Sequence, residues 1–187
     1  MEGELRPGAR PRWPLAVAAA VALAVSGCIL DVRLDPNGGG TLRLRYHLDK
    51  NATLGTVAER LSSPSVVVRS ARLDAAGYGT FKMQTADMAT LKSASVFRNV
   101  TVQRVPGTQP GSTDWTATLR QPKPIELPDS VLQHYGKDFT VTVTFPGPVL
   151  ATNATSHEGS TAKWVLALRD MSSRPETVFS ATYGSPG

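Results

Sequence analysis

One side chain among those that can be chemically modified stands apart by its surroundings. The sequence of 187 residues holds a single cysteine, Cys28, which closes the run Val25-Ser26-Gly27-Cys28. Upstream lie Arg6, Arg10 and Arg12, then an uncharged stretch from Leu15 to Val25 made mostly of Ala, Val and Leu. A positive start, a short apolar run and small residues before a cut site are the parts of a secretory signal peptide. The run is about half the roughly 20 residues that span a bilayer as a helix, so it reads as a removable leader. A thiol with small neighbours, delivered to a membrane surface, is a candidate acyl acceptor; the other reading is a buried structural cysteine.

The remaining reactive side chains offer little catalysis. His47 falls on the wet face of a strand, His134 in a helix and His157 in a polar turn. A Ser-His-Asp arrangement needs a histidine oriented by a carboxylate beside a nucleophile, and His157-Glu158 are merely adjacent on a loop. A zinc site needs three or four converging ligands, and acylation of Cys28 would remove the one thiol. Gly38-Gly39-Gly40 leads into a strand rather than a helix, so it reads as a turn and not as a phosphate loop. We expect no enzyme, no metal and no cofactor. The sequons at Asn51, Asn99 and Asn153 are what a Thr-rich chain produces by chance.

The four residues ending at Cys28 resemble the lipobox of bacterial lipoprotein signal peptides. The resemblance implies that Val25, Ser26 and Gly27 present the site to a dedicated peptidase. It also implies a diacylglyceryl group on the Cys28 sulfur and cleavage before that residue. The chain would then consist of a leader over residues 1–27, which is removed, and one domain over 28–187, tethered to the membrane through Cys28. Of the 20 basic and 15 acidic side chains, the leader holds three and two, which leaves the domain a net charge of +4. No Lys/Arg run or aromatic-basic interleaving suggests nucleic acid. With one cysteine no internal disulfide forms, and packing alone must stabilise the domain.

The elements that position these residues are mostly strands. Leu30, Val32 and Leu34 alternate with Asp31, Arg33 and Asp35; after a Pro36–Gly40 turn, Leu42, Leu44, Tyr46 and Leu48 alternate with Arg43, Arg45 and His47. Period-2 patterning on both sides of a Gly-rich turn predicts a hairpin. Arg33, Arg43 and Arg45 share its polar face with Asp31 and Asp35. Two readings stand: cross-strand ion pairs, or an anionic-headgroup contact near the membrane. Leu54, Val57, Ala58 and Leu61 form one helical stripe that Asn51 or Thr53 can cap. Asp87 can cap a brief helix carrying Met88 and Leu91, and Pro128 to Tyr135 can form another that Gly136 closes. Trp115, Ala117 and Leu119, then Phe139, Val141, Val143 and Phe145, then Ala162, Trp164, Leu166 and Leu168 read as strands. The sum is an α+β fold: an antiparallel sheet of about eight or nine strands, with two or three short helices on its apolar face.

The order of these pieces resembles the LppM-like family of bacterial envelope lipoproteins. The matching features are the lipobox, the strand directly after it, the Asp35-Pro36-Asn37-Gly38 turn and the Leu54 to Leu61 helix. Later come Phe145-Pro146-Gly147-Pro148-Val149, Thr152-Asn153-Ala154-Thr155 and Thr161-Ala162-Lys163-Trp164. The resemblance implies an extracytoplasmic domain, anchored by lipid to the bacterial cell membrane, that binds lipid, glycolipid or another apolar envelope ligand. Trp115, Phe139, Phe145 and Trp164 are then candidate cavity walls; as plain core they would do nothing more than pack. The alternative is a non-enzymatic structural or docking subunit with an envelope protein partner. Family members often carry a C-terminal transmembrane helix; this sequence shows none, so attachment is expected to rest on Cys28.

Overall fold

A computed structural model describes residues 29–121 and 123–185. The chain begins with β1 (Ile29–Leu34) and β2 (Gly40–His47), followed by α1 (Leu54–Leu61), β3 (Val66–Leu73) and β4 (Tyr78–Thr85). Two 3-10 turns, Met88–Ser93 and Ser95–Phe97, lead to β5 (Val100–Pro106) and β6 (Thr113–Arg120). Then come α2 (Asp129–Tyr135), β7 (Asp138–Thr144), β8 (Val149–Thr152), β9 (Ser156–Glu158), β10 (Thr161–Ala167), α3 (Leu168–Ser173) and β11 (Glu176–Tyr183).

The strands form two sheets, a seven-stranded one in the order β3-β4-β2-β1-β7-β10-β9 and a four-stranded one in the order β5-β6-β11-β8. The class is α+β, with few helices. Eleven strands in two sheets replace the single sheet of eight or nine, and the large sheet is not wholly antiparallel, since β1 and β7 run parallel. The second sheet hides from sequence reading because its strands show the same one-sided apolar alternation as those of the first. Ser156–Glu158, read as part of a turn, pairs with β10 as a short edge strand; no apolar side chain marks it.

Each sheet buries one face against the other. Phe139, Val141 and Val143 of β7, Ala162 and Trp164 of β10, and Trp115, Phe179 and Tyr183 of the small sheet are all buried. Aromatic rings join the layers: Trp115 lies 6.3 Å from Trp164 and 5.5 Å from Phe145, and Trp164 lies 5.7 Å from Phe179. Beyond the small sheet, α1 covers the apolar face of β3 and β4 with Val57 and Leu61. Thr53 caps it in a reciprocal capping box with Thr56 (3.2 Å), and Asp87 caps the first 3-10 turn through the Ala89 amide (2.9 Å). Every strand and helix described lies between Ile29 and Tyr183, and the buried side chains of both sheets and α1 make one core. The described residues thus share one framework with a continuous core.

The turn between β1 and β2 fixes where the first strand begins and ends. Gly38 takes φ +95°, a left-handed value that favours glycine, and a Cβ on Gly40 would overlap the Arg33 carbonyl oxygen. Gly40→Ala is expected to lower stability by about 1–3 kcal/mol, because the clash is with backbone of the paired strand. Gly55→Ala in α1, where a Cβ meets nothing nearer than 3.8 Å, should leave the melting temperature unchanged or raise it. Thermal denaturation of both variants separates a steric cause from a general intolerance of glycine replacement.

Candidate ligand sites on the two faces of the large sheet

Where the two sheets part, near the 3-10 turns, the interior leaves a cavity of about 60 Å³ whose wall carries no polar surface. Leu30 and Val141 close it from the large sheet, Ala117 and Phe179 from the small one, and Met88 and Phe97 from the 3-10 segment. Trp115 is also part of the wall; it is buried, and its Nε1 finds no acceptor. An unpaired buried donor costs about 1–3 kcal/mol; His47 Nδ1 is the other buried polar side-chain atom without a partner among the described residues. Trp164 is satisfied by contrast, its Nε1 donating to Asn153 Oδ1 at 2.8 Å.

The opposite face of the large sheet is open to solvent. A groove of about 420 Å³ runs across it, bordered by Arg33, Arg43, Arg69 and Lys82, with Asp31, Thr41, Gln84 and Thr144 among them. The registers explain the gathering. Arg43 of β2 stands opposite Lys82 of β4 and Asp31 of β1, and Arg33 stands opposite Thr41 and Thr144. Arg69 occupies the bulge of β3 and donates from Nε to Gln84 at 3.1 Å. Arg43 reaches Asp31 at 4.0 Å, an exposed pair of small energetic weight. Arg45 is drawn away from the groove: it pairs with Asp74 at 3.2 Å and its guanidinium lies 4.1 Å from the centre of the Tyr78 ring. Asp74 is held below the usual carboxylate range, first by the Tyr78 amide and also by Arg45 and the Ala76 amide.

The candidate residues from the sequence thus separate. Cys28, Val25, Ser26 and Gly27 lie outside the described residues. Trp115 and Phe139 face the cavity, whereas Phe145 packs on Trp115 and Tyr183, and Trp164 packs beside them without reaching the cavity. Sequence reasoning missed Arg69 and Lys82, which the β2–β4–β3 register brings to Arg43, and the wall contributed by the 3-10 segment. It also read His47 and His134 as unrelated. Their rings meet at 4.7 Å, with Tyr78 at 5.2 Å from His47, because α2 folds back over the end of β2. Among the described residues no three His, Cys, Asp or Glu side chains gather as metal ligands. No helix among them is long and apolar enough to cross a membrane.

The fold is similar to that of the folded domain of LppM from Mycobacterium tuberculosis, determined by NMR. The TM-score is 0.51 at 16% identity, over 86% of this chain and 90% of that one. At this identity the likeness is one of fold. No protein-family model and no curated protein matches the sequence.

Proposed function

We propose that this chain is a bacterial envelope lipoprotein, held at the membrane through acylated Cys28, whose domain takes the acyl part of a lipid or glycolipid between its two sheets. The observation that carries the reading is the cavity wall, which is entirely apolar and built from both sheets. The LppM-like fold and the leader ending at Cys28 support an envelope location.

The cavity of about 60 Å³ is smaller than the roughly 300–1,000 Å³ of a small-molecule pocket, so taking up an acyl chain requires the wall to move. Its least regular part is the 3-10 segment bearing Met88, Leu91 and Phe97. Such turns have poorer hydrogen-bond geometry than α-helix and give way more easily.

The test uses the chain from residue 28 with Cys28→Ser, titrated with a fluorescent palmitic acid analogue and examined by native mass spectrometry. Saturable uptake of one equivalent is expected. Ala117→Leu fills the cavity wall and should weaken uptake about tenfold or more while the fold persists. No saturable uptake by the parent chain, or equal uptake by the filled variant, would sink the proposal.

A further inference from the structure

The acyl-binding reading uses one face of the large sheet and leaves the other unemployed. On that open face Arg33, Arg43, Arg69, Arg72, Lys82 and Lys163 are joined by Arg45, while the carboxylates are Asp31, Asp74, Asp138 and Glu158. Seven cations against four carboxylates leave the face at +3, out of the net +4 of the chain from residue 28. The rest of that surface carries a net +1, so most of the positive charge lies on this one side. Only Arg43 and Arg45 of the seven have a carboxylate within 4.0 Å among the described residues.

The spread of these charges selects the kind of partner. Arg69 and Arg72 lie on β3 and Lys163 on β10, five strand spacings apart, or about 24 Å. That width exceeds one phosphate and spans several lipid headgroups. Ile29 and Val165, apolar and 37% and 39% exposed, flank Thr140 on the same face, where the chain arrives from Cys28. A broad cationic field with an apolar margin at the point of tethering complements a charged bilayer better than a small soluble anion.

We propose that the open face of the seven-stranded sheet lies on the surface of an anionic phospholipid bilayer. The domain then rests flat beside its tether, with the inter-sheet cavity turned away from the lipid headgroups. This takes from the proposed function only that a membrane is at hand.

Co-sedimentation tests it with the chain from residue 28 carrying Cys28→Ser, so that no acyl group contributes, and vesicles of phosphatidylglycerol in phosphatidylcholine. Binding that salt weakens and that vesicles of phosphatidylcholine alone do not support is expected. Removing two charges, as R43S/K82S, should lower partitioning about 25-fold, whereas R43K/K82R should retain it. R60S/K92S, on the helical side, should bind as the parent does. The proposal is overturned if the parent does not bind, if R43S/K82S binds equally, or if R60S/K92S loses as much. Displacement by millimolar glycerol phosphate would overturn it too, by showing a single-phosphate pocket. Failure in this acyl-free assay leaves the Cys28 tether, which labelling measures, untouched.

Discussion

Replacing Cys28 with serine is expected to abolish incorporation of a fatty-acid analogue and to move the protein from the membrane pellet to the soluble fraction. The size of the effect follows from the anchor. Each buried CH₂ of an acyl chain contributes about 0.8 kcal/mol, and one chain alone gives only marginal membrane binding. A diacylglyceryl group supplies two chains at once, and serine offers no thiol for the thioether. What would remain is the basic face, worth about 1 kcal/mol per cation and screened beyond about 8 Å at physiological salt. Residual association of the serine variant should accordingly wash away at high salt, while that of the wild type should need detergent. Label on the serine variant, or no label on the wild type, removes the tether from the account. The salt wash also separates the two attachments: R43S/K82S in the Cys28 background should keep its label and stay in the pellet.

How far the sequence reveals this arrangement depends on which interactions set each part. The alternation of Phe139, Val141 and Val143 with threonines is legible because a strand with one buried face imposes period 2 locally. Thr53, Asp87 and Gly136 punctuate helices for equally local reasons. Pairing partners are another matter. Nothing in Ile29–Leu34 announces a parallel neighbour more than a hundred residues away, since alternation tells which face is buried and not which strand lies alongside. The Trp115-Ala117-Leu119 pattern is likewise indistinguishable from those of the large sheet. For the same reason Arg33 and Arg43 could be placed together from their hairpin, but Arg69 and Lys82 could not. Their arrival depends on the β2–β4 register and on a bulge between Val68 and Ser70. The split of the four aromatic candidates also rests on tertiary detail, because Trp115 and Trp164 have similar sequence surroundings and differ in whether an acceptor stands near the indole nitrogen.

That acceptor carries the second large expected effect. Asn153 is exposed, yet its side chain ties the two sheets together. Its Oδ1 accepts from Trp164 Nε1 of β10 at 2.8 Å and from the Ser180 amide of β11 at 2.9 Å, and its Nδ2 donates to the Val178 carbonyl at 2.9 Å. Asn153→Ala removes all three bonds and strands the indole N–H of Trp164, whose ring is only 2% exposed. Each lost bond is worth about 0.5–1.5 kcal/mol and an orphaned buried donor about 1–3, with partial rescue by water at the exposed end. A net loss of about 2–4 kcal/mol is expected, a large share of the roughly 5–15 kcal/mol that stabilises a domain. The melting temperature should fall by about 5–15 °C. Asn153→Asp keeps both acceptor roles but sets a carboxylate against the Val178 carbonyl, so it should fall between alanine and wild type. Trp164→Phe removes the donor instead, and a double-mutant cycle with Asn153→Ala should give a coupling of about 1 kcal/mol or more. Simple additivity, or an Asn153→Ala loss within about 0.5 kcal/mol, the range of ordinary surface substitutions, would show that solvent serves Trp164 as well as Asn153 does. The clip between the sheets would then be packing alone.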